Sequence, residues 1–270
     1  MSIAPSPTEI YERSEQEGRR RLSMSGLEQT TTAFMAGITI VFGIAALGVV
    51  DSLVAPQFGS EFARLLGALG FAIGVVFLIV GRTELFTENF FGPVAAAIAH
   101  SGRRRWGLLL RLWVVTLVFN FIGGAVLVAV VAVDGALPAG AHEALDSIAE
   151  DIAAKTWSAT LARAVLAGAL LTLLSYMLSA VNTVTSRIML AFAVGFFLAL
   201  GPFDHVVVSG LHLLLGLWLE ANVGYRDVFV NFGLATAGNV LGGLFLMTFT
   251  HTAQVRGARA HDEGTEHRER

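Results

Sequence analysis

Apolar residues gather along this chain into six stretches, 29–50, 62–99, 106–133, 156–181, 187–219 and 228–251, each bounded by charged or turn residues. About 20 mostly apolar residues in a helix cross the roughly 30 Å of hydrocarbon in a bilayer, so each stretch predicts a transmembrane helix. The second and fifth are too long for one straight crossing, and both carry polar residues near their middle. They predict broken helices. "GRTELFTENFFGP" (Gly81 to Pro93) interrupts the second and "LGPFDHVVVSGLH" (Leu200 to His212) the fifth.

The pattern repeats within the chain. "AFMAG" (Ala33 to Gly37) resembles "AVLAG" (Ala164 to Gly168), and "NFIGG" (Asn120 to Gly124) resembles "NVLGG" (Asn239 to Gly243), with one interrupted span between the members of each pair. Phe86 precedes Asn120 by 34 residues, and His205 precedes Asn239 by the same 34. Two halves of three helices follow, and an odd number of crossings per half inverts the second relative to the first. Inverted repeats with discontinuous helices put a substrate path at the repeat interface near the bilayer midplane. Non-helical backbone survives at that depth only when it is buried in protein or lines a polar cavity. The expected architecture is an all-α membrane protein of six spans in two inverted three-helix repeats. Residues 1–28 form a polar segment with a possible short amphipathic helix, 29–252 the membrane domain with repeats at 29–133 and 156–252, and 253–270 a disordered tail.

Composition agrees with this reading. Of 270 residues, 54% are hydrophobic and 14% charged, and the mean hydropathy is +0.67, outside the usual range of soluble domains. Arginines cluster on one side of the predicted spans (Arg13, Arg19, Arg20, Arg21, Arg103, Arg104, Arg105, Arg111, Arg187 and the tail). The other side has Arg64, Lys155 and Arg226 beside an acidic run from Asp134 to Asp151. Positive flanks stay in the cytoplasm, so both termini are expected inside the inner membrane. The arginine triplets are adequately explained as topology determinants, and a net charge of -3 gives no reason to expect nucleic-acid binding. There is no cysteine, which excludes disulfides and thiolate metal sites. The N-terminal segment lacks the apolar core and cleavage site of a signal peptide, so the chain is expected to keep it.

The breaks carry the candidate chemistry. Gly81 permits unusual dihedrals and Pro93 suits the first turn of a new helix. Leu85 and Phe86 would form an apolar constriction or ordinary packing; Thr87 would donate to an anion or cap the next helix. His205 exchanges a proton near neutral pH when unperturbed, and Asp204 beside it would orient a ring or a backbone amide. Arg82 is the anomaly, because an unpaired arginine within a span costs several kcal/mol. Its nearest partners in sequence are Glu84 and Glu88, giving either a clamp on the break or an anion site at the inner mouth, with the clamp favoured because two carboxylates neutralise it. His100 and His251 fall near helix ends and read as interfacial; His212 fits no motif.

These motifs together resemble the formate/nitrite transporter family over residues 29–252, and in detail its YfdC-like branch. The resemblance implies an aquaporin-like hourglass fold and a homopentamer, each protomer with its own pore for small monovalent anions or their conjugate acids. By motif, Leu85 and Phe86 match the family's constriction and Thr87 the threonine of its first loop. His205 matches the central histidine, Asn120 and Asn239 the asparagines of the third and sixth helices, and Lys155 the lysine of the outer vestibule. Arg82 and Glu88 depart from the pattern, as does Ser209, which stands where formate channels carry an asparagine. An anion passing Phe86 and Phe203 would gain a proton, from His205 or water relayed by it, as polarity falls. The expected function is therefore a transporter or channel for small anions or weak acids without a cofactor. A non-conducting scaffold or sensor of the same fold is the alternative. No enzyme constellation appears: there is no phosphate-binding glycine loop, nucleophile elbow or clustered metal ligands.

Overall fold

The computed structural model describes residues 5–99 and 102–269, with side chains to 260; His100 lies outside them. Among the described residues every regular element is helical: α1 (Pro7–Ser23), α2 (Gly26–Phe58), α3 (Ser60–Val80), α4 (Gly92–Ala99), α5 (Arg103–Val131), α6 (Ala141–Ala153), α7 (Trp157–Ala180), α8 (Val184–Leu200), α9 (Val206–Trp218), α10 (Tyr225–Leu241) and α11 (Phe249–Glu269). A 3-10 turn covers Phe86–Asn89, and a π-helical turn over Gly242–Thr248 joins α10 to α11. Five helices are long and apolar enough to cross a membrane: α2, α3, α5, α7 and the run Tyr225–Ala260. The apolar α8 and α9 flank the second break.

Large apolar side chains lie on the outside as well as in the core. On α5, Leu110, Val114, Val118, Ile122, Val126 and Val130 are all exposed. Neighbours four apart touch along the helix surface, so the row forms a stripe that winds slowly around α5. A continuous outward apolar stripe suits hydrocarbon or a second protomer and would be a liability in water.

Both broken helices are where the pattern places them. The α3 helix ends as the Gly81 amide donates to the Phe77 carbonyl, after which Arg82 takes a left-handed φ of 53°. The α8 helix ends the same way at Gly201, whose amide donates to Phe197, and Pro202 then supplies no amide to continue it.

Each asparagine of the repeated motif holds its break by three hydrogen bonds. Asn120 Oδ1 accepts from the Phe86 amide at 2.9 Å, and its Nδ2 donates to the Ala33 and Glu84 carbonyls at 2.8 and 3.0 Å. Asn239 Oδ1 accepts from the Val206 amide at 2.9 Å, and its Nδ2 donates to the Ala164 and Asp204 carbonyls at 2.8 and 3.0 Å. The glycines of the motifs make this possible. A Cβ on Gly37 would overlap the Asn120 carbonyl, and one on Gly168 the Asn239 carbonyl. On the facing helices, Gly123 and Gly242 are closed in by the Phe34 and Val165 carbonyls. The internal repeat is thus a repeat of backbone approach.

This equivalence corrects the register expected from spacing. Asn120 serves an amide 34 residues back and Asn239 one 33 residues back, so Phe86 corresponds to Val206 and Leu85 to His205. Equal spacing had paired Phe86 with His205.

Three further features differ from the expectation or add to it. The first polar segment is a well-formed helix: Ser6 and Glu9 make a reciprocal capping box, and Tyr11, Ser14, Gly18 and Leu22 bury one face. That face packs on α4, with Gly18 seated on the Gly92 carbonyl. The acidic stretch after α5 contains an amphipathic helix, α6, packed on α9 and α2. The first part of the tail expected to be disordered is helical and docks on α1: Val255 is buried with Tyr11 and Phe91, and Arg259 pairs with Glu12 at 2.7 Å.

Candidate functional site

The two breaks meet at one hydrogen bond. Thr87 Oγ1 lies 2.7 Å from His205 Nε2, and both residues are fully buried. His205 begins α9, where its Nδ1 accepts from the Val208 amide at 3.4 Å. An accepting Nδ1 leaves the hydrogen on Nε2, so the ring donates to the Thr87 oxygen and the Thr87 hydroxyl hydrogen remains free for another acceptor. Leu85 and Phe86 are buried beside this contact, with Phe86 edge-on to Phe90 at 4.9 Å.

A cavity approaches the pair from each side. The first, about 260 Å³, is lined by Arg13, Glu17, Arg20 and Arg21 of α1, by Arg82 to Glu84 and Glu88 of the first break, and by Ser175 and Ser179 of α7. The second, about 610 Å³, is lined by Lys155, Arg163, Phe203, Asp204, Ser209 and His212 among others. Leu85, Phe86, Thr87 and His205 line neither. These two apolar and two polar side chains form a buried septum where the two breaks meet.

Each break buries one acid at the equivalent position of the repeat, Glu84 in the first and Asp204 in the second, and each acid meets a cation from outside the break. Glu84, 2% exposed, pairs with Arg20 Nη2 at 3.1 Å and Arg21 Nε at 3.2 Å. Asp204, 1% exposed, is bonded by Lys155 Nζ, itself 9% exposed. Burial is the largest influence on Lys155 and pulls its pKa below the ordinary lysine value, against the opposing pull of Asp204. For Arg21 the neighbouring carboxylates, Glu84 foremost, outweigh a larger single effect of burial and raise its pKa.

The clamp expected between Arg82 and Glu84 or Glu88 does not form, although Arg82 lines the first cavity. Its side chain is 70% exposed, and its one close carboxylate is Glu17 at 3.9 Å, neither Glu84 nor Glu88. The left-handed φ turns the side chain away from the septum, and Arg20 and Arg21 of α1 take the place assigned to it. Arg21 also donates to the Glu88 carbonyl at 3.1 Å and to Asn89 Oδ1 at 3.2 Å, so it staples the 3-10 turn. Glu88 serves its own turn, Oε2 accepting from the Leu85 amide at 3.2 Å. Arg82→Ala is therefore expected to change thermal stability by no more than about 0.5 kcal/mol. Arg82→Gly, which relieves the left-handed backbone, should raise stability by about 1 kcal/mol, measured by thermal unfolding in detergent.

The remaining candidates are distributed around the septum. Asp204 pairs with Lys155 in place of orienting the histidine ring. Phe203 lines the second cavity and packs edge-on with Phe197 at 5.3 Å, so it belongs to the vestibule and not to the septum. Ser209 donates within hydrogen-bond reach of the His205 carbonyl at 2.9 Å and Asn231 Oδ1 at 2.8 Å. Arg20, Arg21, Asn89 and Asn231 escaped the reading of the sequence. For the arginines, the available signal was their place next to Leu22 on an amphipathic helix with a capped start, which an explanation by topology alone left unused.

Known proteins resemble this chain in sequence and in fold. A family model described as Formate/nitrite transporter matches residues 8–253. The inner membrane protein YfdC of Escherichia coli (strain K12) is 27% identical over 97% of this chain and 83% of its own length. A probable formate transporter of Methanothermobacter thermautotrophicus is 28% identical over 78% of this chain and 82% of its own. Among solved structures, a pentameric formate channel with formate bound superposes with a TM-score of 0.70 at 20% identity, covering 85% of this chain and 94% of that one. A second, described as an FNT family ion channel, gives 0.75 at 18% identity over 92% and 99%.

Proposed function

We infer the working of this chain from its belonging to the formate/nitrite transporter family, whose members make it a membrane channel for small anions or weak acids. Its named relatives are transporters and channels, not enzymes. The observation that carries the reading further is the Thr87–His205 contact closing a buried septum between two cavities. A bare anion in such a dry passage would cost several kcal/mol. A weak acid that crosses neutral escapes that cost, so passage is of the conjugate acid and linked to protons. Thr87, with its hydroxyl hydrogen free, donates to the acid as it passes; Leu85 and Phe86 set the width; His205 fixes the Thr87 rotor. Asn120 and Asn239 hold the two breaks and do not touch the substrate.

The chain crosses the inner membrane six times, with α3 to α4 and α8 to α9 as the broken spans and both termini in the cytoplasm. The first cavity then opens inward and the second outward. The outward apolar stripe on α5 supports assembly among lipids and further copies, and the pentameric solved relative supports a homopentamer with one path per protomer. A non-conducting scaffold would be favoured by a charged bridge across the septum, but Arg82 is exposed and takes no part in it.

His205→Ala is the test. It removes the partner of Thr87 and should lower uptake of labelled formate or acetate in proteoliposomes at least about tenfold, or abolish its pH dependence, while the protein still assembles. Unchanged uptake and pH dependence would remove the histidine from the mechanism. Wild-type protein that moves none of formate, nitrite, acetate, lactate or hydrosulfide would defeat the transport reading.

A further inference from the structure

His212 has no part in the septum. It follows His205 by seven residues on the same helix, two turns on, so both rings leave one face of α9. His212 is 4% exposed and belongs to the wall of the second cavity with Lys155, Asp204 and Ser209. Its Nδ1 lies 3.0 Å from the Val208 carbonyl. A carbonyl only accepts, so Nδ1 carries the hydrogen and Nε2 of the neutral ring carries a lone pair. That Nε2 is buried and has no partner in the protein. An unmatched buried acceptor is destabilising, and such atoms are otherwise paired. What this atom lacks is a proton donor.

We propose that His212 Nε2 is the proton-loading site of the second cavity, taking a proton from water there and passing it to an arriving weak-acid anion before the septum. The proposal rests on the weak-acid reading above. In the first step an O–H bond of hydronium breaks as Nε2–H forms, giving an imidazolium. In the second Nε2–H breaks as an O–H bond forms on the anion, and the ring returns to neutral. The sum is one proton moved from hydronium to substrate, leaving a water molecule, with no oxidation or reduction.

Two observations favour His212 over His205 for this step. His205 lines neither of the two cavities and its Nε2 is occupied by Thr87. The cavity around His212 also carries charge of both signs that an arriving anion would meet beside the ring. The cavity is lined by the acids Asp51 of α2, Glu61 of α3, Asp151 of α6 and Asp204 of the break. Against these four stand three bases, Arg64 of α3, Lys155 before α7 and Arg163 of α7. The other helices packed on α9 add no charge near the ring: α5 meets α9 through Phe121 and Gly124 and α10 through Asn231, while Arg226 and Asp227 sit at the start of α10, Asp227 bound to the Gly224 amide.

The test uses full-length protein in proteoliposomes, with labelled formate as probe and the pH of one face varied between about 5.5 and 7.5, the range in which imidazole changes charge. His212→Asn places an amide nitrogen where Nδ1 stands, keeping the bond to Val208 while deleting Nε2. It should reduce low-pH uptake at least about tenfold and flatten the dependence on pH at the second-cavity face, leaving that at the other face as in wild type. His212→Gln fills the Nε2 position with a non-titrating amide and should behave like Asn, which keeps the question answerable if the Asn variant does not fold. A wild-type pH profile in either variant would overturn the proposal while leaving the transport reading intact. Wild-type vesicles that take up no weak acid would instead overturn the transport reading and this proposal with it.

Discussion

Asn120→Ala and Asn239→Ala should each leave little folded protein after detergent extraction. Each side chain satisfies three backbone groups at its break: the Phe86 amide with the Ala33 and Glu84 carbonyls, and the Val206 amide with the Ala164 and Asp204 carbonyls. Both asparagines are fully buried. With no water to take their place, three orphaned groups at about 1–3 kcal/mol apiece cost roughly 3–9 kcal/mol, a large share of a total stability of about 5–15 kcal/mol. The two variants should fail to a similar degree, because the repeat gives both the same three bonds. Thermal unfolding of whatever protein is recovered gives the measurement. A near-native midpoint for either would mean that water or a local shift of the break replaces the amide, and would remove the asparagines as the supports of the hourglass.

The second large effect is expected at the buried pair on the other side of the septum. Lys155→Met leaves Asp204 as an unpaired carboxylate at 1% exposure, and breaking a buried pair from one side costs about 3–5 kcal/mol. Replacing both partners removes the stranded charge, so Lys155→Met combined with Asp204→Asn should recover most of the loss. Unfolding midpoints of the two single variants and the double variant decide this. If the double variant is as unstable as Lys155→Met, the lysine acts through packing of its stem and not through the ion pair. The reciprocal prediction for function is milder. Because the Lys155 ammonium already spends one hydrogen on Asp204, anion capture in the second cavity relies also on Arg163, and Lys155→Met should weaken uptake without abolishing it.

The equivalence of Glu84 and Asp204 gives these pairs a common purpose. Each acid lies two residues before the amide that its asparagine holds, and each is anchored by a cation from an element that the broken helix does not contain. On one side this is α1, on the other the link between α6 and α7. Both breaks are therefore tied to a peripheral helix by charge, so the shape of the septum depends on segments outside the apolar spans. That dependence explains why the arginines of α1, which flank spans as topology signals do, also line the first cavity.

Much of this was legible in the chain itself. Span length, the two polar interruptions and the paired "AFMAG…NFIGG" and "AVLAG…NVLGG" motifs determine an inverted, twice-broken helical membrane protein, because hydrocarbon thickness and backbone hydrogen bonding leave a helix few alternatives at that depth. The same motifs picked out Leu85, Phe86, Thr87, His205 and both asparagines, all of which the fold brings to the septum or its supports. Tertiary structure alone decided the partners. Charge pairing depends on distance in space and on which way a side chain leaves the backbone, so proximity in sequence joined Arg82 to Glu84, whereas a left-handed residue turned Arg82 out and brought Arg20 and Arg21 in across 64 and 63 residues. The one-residue offset between the repeats, the docking of the tail on α1, and the unpartnered nitrogen of His212 belong to the same class. Each is settled by contacts between segments distant in sequence, for which local pattern carries no signal.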